Sequence, residues 1–251
     1  MRNTSVDAYD HLPVDVLPIG TAYPPDHLLR RHTHRRAQLL YGASGTMQVE
    51  TDEGAWTVPT DRAVMIPPHV AHEVRMVGVT TWSLYIEPDA VPWWPVTCTV
   101  IEVGPLLREL LRAANDLDAD YDTAGRDGAL VRLALHELRR TAPVPFAISL
   151  PRDEPFRTLC RAYLAAPDAS LTTAEWARAA AMSTRTFDRR FRTLTGTSPA
   201  TWRARARLLA SLPLLPALSV TEVAGRLGYA SPAAFTAAFS RAFGAPPSRF
   251  R

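Results

Sequence analysis

MSTRTFDRRFRTLTGTSPATWR, residues 182–203, and ASPAAFTAAFSRAFGAPPSRFR, residues 230–251, repeat one pattern at an offset of 48 residues. Ser183 falls on Ser231, Phe187 on Phe235, Phe191 on Phe239, Gly196 on Gly244, Pro199 on Pro247 and Arg203 on Arg251. Each copy reads as a helix opened by a serine cap, with aromatic side chains four apart on one buried face and a closing glycine. A short helical segment precedes each copy across a tight turn, so each is a candidate helix-turn-helix. Pro213 and Pro216 end the helix between the copies near Leu212, because proline cannot continue it, and this fixes where the second unit begins.

Charge divides the chain at the same place. Residues 1–150 hold 13 Arg against 19 acidic residues, a net of −6, whereas residues 151–251 hold 15 Arg against 6, a net of +9. A basic segment carrying a doubled helix-turn-helix has the electrostatic footprint of a nucleic-acid binder. Every basic side chain is an arginine, a choice that suits bidentate contacts and that base composition of the genome also produces. The two cysteines, Cys98 and Cys160, fall in separate segments, so a reducing compartment is expected and a disulfide framework is not. No apolar run reaches the length of a spanning helix, and Met1–Leu12 lacks a signal-peptide core, which predicts a cytoplasmic protein with no membrane partner.

Outward from the repeat, residues 14–87 show short runs rich in Val, Thr, Tyr and Trp, punctuated by Gly, Pro and Asp at intervals that suit a sandwich or barrel. At Gly104 the period changes. Leu106, Leu107, Leu110 and Leu111 form one helical stripe, and Leu130, Leu133, Ala134 and Leu138 another, beyond the acidic turn 116–127. These stripes either dimerise or cover the barrel. Residues 141–155, with four prolines, read as a linker.

The segment from Phe156 to Arg251, with LTTAEWARAAAMSTRTFDRRFRTLTGTSPATWRARARLL and SVTEVAGRLGYASPAAFTAAFSRAFGAPPSRFR, resembles the AraC family of bacterial transcription regulators. The resemblance implies two helix-turn-helix units joined by a long helix, each presenting its second helix to a major groove of double-stranded operator DNA. One departure stands out: Ala181 and Met182 occupy the place of Gly228 and Tyr229, in a turn one residue shorter. With Phe187, Phe191 and Leu194 turned to the core, Thr184, Arg185, Asp188 and Arg189 face outward. The DNA-binding set is then Ser183, Thr184, Arg185, Asp188, Arg189 and Arg190 in the first unit, and Ala233, Thr236, Ala237 and Arg241 in the second. Arg185 and Arg189 suit guanine, and Asp188 suits cytosine or the orientation of an arginine. The second helix offers small side chains until Arg241, so most base reading falls to the first. Arg190, Arg192, Arg203, Arg205, Arg207, Arg249 and Arg251 read as phosphate neutralisers or structural arginines.

Five of the seven histidines lie between His27 and His72. His32-Thr33-His34 with Gln38 and Gly45, followed by Pro67-Pro68-His69-Val70-Ala71-His72, resembles the two metal motifs of cupin barrels, with Gln38 where a glutamate is usual and His69 where a glycine is usual. On a continuous strand His32, His34 and Gln38 share one face, and His72 meets them from another strand. They form either a site for Zn, Ni, Fe or Mn or a hydrogen-bonding pocket for an organic effector. Trp82, Trp93 and Trp94 either line such a pocket or pack the barrel against its helices. His136 reads as surface.

The expected fold is α+β and multi-domain: a cupin-like sensor barrel over 1–103, linker and dimerisation helices over 104–141, a linker over 142–154 and an all-α domain with two helix-turn-helix units over 155–251. The expected function is a sequence-specific transcription regulator, not an enzyme, acting as a homodimer that responds to a small molecule or metal. The alternative is a cupin-type metal-dependent enzyme with an accessory C-terminal domain.

Overall fold

A computed structural model describes residues 8–24 and 26–250 as two compact units. The first comprises the sequence up to 49 together with 58–144, and the second comprises 50–57 together with 145–251. Arg251, and with it the last repeat position, lies outside the described residues, as does the start of the N-terminal segment.

The N-terminal unit is an antiparallel sheet built from β1 (Val16–Ala22), β2 (His27–His32), β3 (Ala37–Glu50), β5 (Arg62–Ile66), β6 (His72–Ile86) and β7 (Thr99–Glu102), β4 being the hairpin strand Gly54–Val58 described below. β6 lies between β1 and β3 and also pairs with β2, while β5 joins β3 to β7. Alternation sends Leu39, Tyr41, Ala63 and Met65 into one apolar cluster with Val16, Leu84 and Ile101. Gly45, the glycine of the first cupin-like motif, is needed for its backbone. Its φ is +71°, and a Cβ there would stand 2.3 Å from the Gly78 carbonyl oxygen.

Helices α1 (Pro105–Asn115) and α2 (Arg126–Arg139) bury Leu107, Leu110, Leu111, Val131, Ala134 and Leu138 in that same cluster. Most of the two leucine stripes therefore covers the sheet, and Leu106 and Leu133 remain exposed. Trp94 is buried with its indole N–H donating to the Ile66 carbonyl, and Trp82 and Trp93 pack on the same core, so packing is the use made of all three.

The C-terminal unit contains α3 (Phe156–Ala165), α4 (Thr173–Ala179), α5 (Thr184–Thr195), α6 (Pro199–Ser211), α7 (Val220–Arg226) and α8 (Pro232–Phe243). The caps are those the repeat predicts. Ser183 and Ser231 accept from the backbone N–H three residues on, and Gly196 and Gly244 close the helices in the left-handed region. Capping boxes at Thr172/Glu175 and Ser219/Glu222 open α4 and α7. Phe156, Trp176, Phe187, Phe191 and Trp202 form one aromatic core, and Phe146, Phe239, Phe243 and Phe250 another. Each repeat thus anchors its own cluster.

Two boundaries differ from the expectation. The stretch 142–154 is not a plain linker: β8 (Ala147–Ser149) pairs antiparallel with β4, and α6 grips β8 through Trp202 Nε1, which donates to Ser149 O at 2.8 Å. The hairpin segment 50–57, expected within the barrel, is part of the C-terminal unit. Proline content signalled a break in helical period but was blind to a three-residue strand whose hydrogen bonds go to a partner nearly a hundred residues away.

Candidate nucleic-acid interface and effector site

In the first helix-turn-helix the α4–α5 turn places Ala181 at φ +51°, the position that Gly228 takes at +70° in the second. The matching bonds are Met182 N–H to Ala177 O and Tyr229 N–H to Ala224 O, both 2.9 Å. The shorter turn keeps the motif and holds a non-glycine residue in the left-handed region.

On α5, Phe187 and Phe191 are fully buried, whereas Thr184, Arg185, Arg189 and Arg190 are exposed. Among the described residues the guanidinium groups of Arg185 and Arg189 have no partner, which leaves both free for a ligand. Asp188 is different. It accepts from Arg192 Nε at 2.8 Å, one turn on, so its carboxylate braces the helix surface. Arg190 lies with its guanidinium 5.2 Å from the centre of the Phe156 ring, and Ser183 is occupied as the cap. On α8, Ala233 and Ala237 are exposed, Thr236 is half-buried and Arg241 is exposed, so the small-residue face expected from the sequence is present.

The arginines of α6 are structural. Arg203 is buried, stacked 4.9 Å over Trp176 and donating to Thr173 Oγ1 at 3.1 Å; burial lowers its pKa. Arg205 donates to the Ala147, Pro145 and Ala242 carbonyls and stacks on Phe243. Arg207 donates to Tyr163 Oη at 2.9 Å. Three positive charges of the connector are thereby committed to holding the unit together.

In the N-terminal unit the strand expected through His32–Gln38 is interrupted. β2 ends at His32 and β3 begins at Ala37, so shared strand alternation is not what gathers these residues. A turn does so instead, and His32, His34 and His72 still converge, with ligand atoms all within 4.8 Å of one another. His69, at φ +61°, takes the left-handed conformation that explains a glycine at this position of the motif, and its N–H ties the turn to His34 O at 2.9 Å.

The three imidazoles are oriented alike. His32 Nδ1 lies 2.8 Å from Arg30 O, His34 Nδ1 2.6 Å from Arg36 O and His72 Nδ1 2.8 Å from Val70 O. A carbonyl only accepts, so each Nδ1 carries a proton, which leaves Nε2 as the ring nitrogen not engaged by the backbone. Among the described residues the buried His72 Nε2 has no hydrogen-bond partner. His34 Nε2 faces the Gln38 amide oxygen at 3.1 Å, acceptor against acceptor, which a cation between them satisfies, or a turned amide. Burial pushes the His72 pKa down to about 4 and lowers that of His34, so both are neutral at pH 7.

Gln38 Nε2 donates to Tyr85 Oη at 2.9 Å. Sequence reading passed over Tyr85 and Ser83, which line the same pocket with Thr21, Tyr23 and Leu40. Period-two alternation along TTWSLYIEP, which places Ser83 and Tyr85 on one face, was the signal available.

Residues 19–142 match the family model described as an AraC-like ligand binding domain, and residues 176–251 match that of a helix-turn-helix domain. The chain is 28% identical over 221 residues to the HTH-type transcriptional regulator NimR of Escherichia coli K12, an alignment covering 87% of this chain and 81% of that one. It is 33% identical over 102 residues to the HTH-type transcriptional regulator RipA of Corynebacterium glutamicum, covering 40% of this chain and 31% of RipA. Among solved structures, the DNA-binding domain of AdpA in complex with a target DNA matches 39% of this chain and 90% of that domain, at 38% identity and a TM-score of 0.36.

Proposed function

The chain belongs to the AraC family of transcription regulators, a DNA-binding helix-turn-helix domain following a ligand-binding domain, and from that premise we propose that its ligand site holds a divalent transition metal. The observation that carries this reading is the common orientation of His32, His34 and His72: three Nδ1–H groups fixed by backbone carbonyls, and three rings whose ligand atoms lie within 4.8 Å of one another. Carbonyl bonds to the far ring nitrogen are the usual outer support of metal-bound histidine. Three imidazoles with the Gln38 oxygen would hold Zn, Ni, Fe or Mn, and the metal would supply a positive charge at the site. The free space beside them is about 20 Å³, room for a water among the ligands.

Purified protein is expected to contain about one equivalent of metal, and His72→Ala to contain little, by elemental analysis. Equal, negligible metal in both proteins refutes the reading. Metal occupancy then shifts DNA affinity only insofar as metal binds one state of the regulator better than the other.

Base recognition is assigned to Arg185 and Arg189 of α5, with Thr184, Asp188, Ala233, Thr236, Ala237 and Arg241 contributing helix support, surface shape or phosphate contact. Two copies pair through the residues of α1 and α2 that the sheet leaves uncovered, Leu106 and Leu133, 54% and 43% exposed. Light scattering should give a dimer mass for the wild type and a larger monomer fraction for Leu106→Glu/Leu133→Glu. A wild-type monomer at micromolar concentration removes the dimer.

A further inference from the structure

Glu50-Thr51-Asp52-Glu53, the turn between β3 and β4, places three acidic side chains on the C-terminal unit, one to each of three arginines. Arg161 Nε donates to Glu50 Oε1 at 2.6 Å, Arg157 pairs with Asp52 at 3.0 Å and Arg152 with Glu53 at 2.8 Å. Arg157 also donates to the backbone carbonyls of Thr51 and Asp52. The turn is anchored from behind, because β4 pairs with β8 and Leu150 N–H donates to Glu53 O at 3.2 Å.

Stability is a poor explanation for the outermost pair. Exposed ion pairs contribute between nothing and about 1 kcal/mol each, and Arg152 and Glu53 are both more than half exposed, whereas Arg157 is held inward at 11%. The effect of the acidic turn on charge is larger. Residues 151–251 carry a net of +9 and residues 50–57 contribute −3, which lowers the unit to +6. DNA affinity depends on that positive field and on each phosphate contact formed.

We propose that the acidic turn Glu50–Glu53 is an autoinhibitory clasp, which occupies Arg152 and Arg161, is seated on the inward-held Arg157, and holds the DNA-binding unit below its intrinsic affinity for the nucleic-acid backbone. β3, whose first residues include Gln38 of the histidine site, ends in Glu50, so one strand connects that site covalently to the clasp.

The test is the salt dependence of binding to a random-sequence duplex by full-length Glu50→Gln/Asp52→Asn/Glu53→Gln. The control, Asp116→Asn/Asp118→Asn/Asp120→Asn, removes the same charge from exposed positions of the α1–α2 turn. Release of Arg152, Arg161 or both is expected to steepen the log–log salt slope by about 0.9 for each, with affinity at 0.1 M salt rising about tenfold. The control should keep the wild-type slope. If the clasp variant keeps it too, or if both variants change alike, the proposal is overturned. Glu53→Gln alone, at the most exposed pair, decides the matter should the triple variant fail to fold, with an expected steepening of up to about 0.9 against none.

Discussion

Phe191→Ala is expected to lower the stability of the C-terminal unit by about 3–5 kcal/mol, a large part of the roughly 5–15 kcal/mol that holds an ordinary domain together. Phe191 is fully buried and touches four aromatic rings, those of Phe156, Trp176, Phe187 and Trp202, at centroid distances of 5.8–6.2 Å. These rings come from α3, α4, α5 and α6. Deleting this one side chain leaves a cavity where four helices meet, and close-packed surroundings relax only partly into it. Thermal denaturation of the purified variant would show the loss, together with loss of DNA binding near physiological temperature. A melting temperature within a few degrees of wild type would mean that the helices do not share a core at Phe191.

Arg189→Ala should act in the opposite manner, leaving the fold intact and removing sequence preference. Its guanidinium is exposed on α5 and has no intramolecular partner among the described residues, so the substitution breaks nothing in the free protein. A bidentate arginine–guanine pair contributes about 1–3 kcal/mol of discrimination. Binding sites selected from a random pool should lose preference at one position and keep it elsewhere, with affinity for the best site down about 5- to 150-fold. Ala237→Ser, on the small-residue face of α8, should change the selected sequences little. Equal information under both units would contradict the division of labour between them. The pairing of Asp188 with Arg192 narrows the choice further, since Asp188 reaches a base only by giving up a charged hydrogen bond already made.

Much of this was legible in the residues themselves. The 48-residue offset, the serine caps and the closing glycines are local features. Their positions in the structure match because helix period and capping act within a few residues of chain. The histidine site was legible as a set of residues and misread as a geometry. His32 and Gln38 do not share one strand, and a turn through His34 gathers them, because the Arg30, Arg36 and Val70 carbonyls aim the rings. Tyr85 was missed because its partner, Gln38, lies 47 residues away.

The sequence alone determined the order and phase of the α-helices, the β-rich character of the N-terminal segment and the opposite charges of the two halves. These follow from local hydrogen bonding, the periodicity of side chains and simple counting. Tertiary structure decided which charges are available. It committed Arg203, Arg205 and Arg207 to the interior of the C-terminal unit, gave Asp188 to Arg192, and brought the 50–57 hairpin onto the helices of that unit. Whether an arginine meets an aromatic ring, a carbonyl, a carboxylate or water depends on segments far away in sequence, and the same guanidinium is bound or free accordingly.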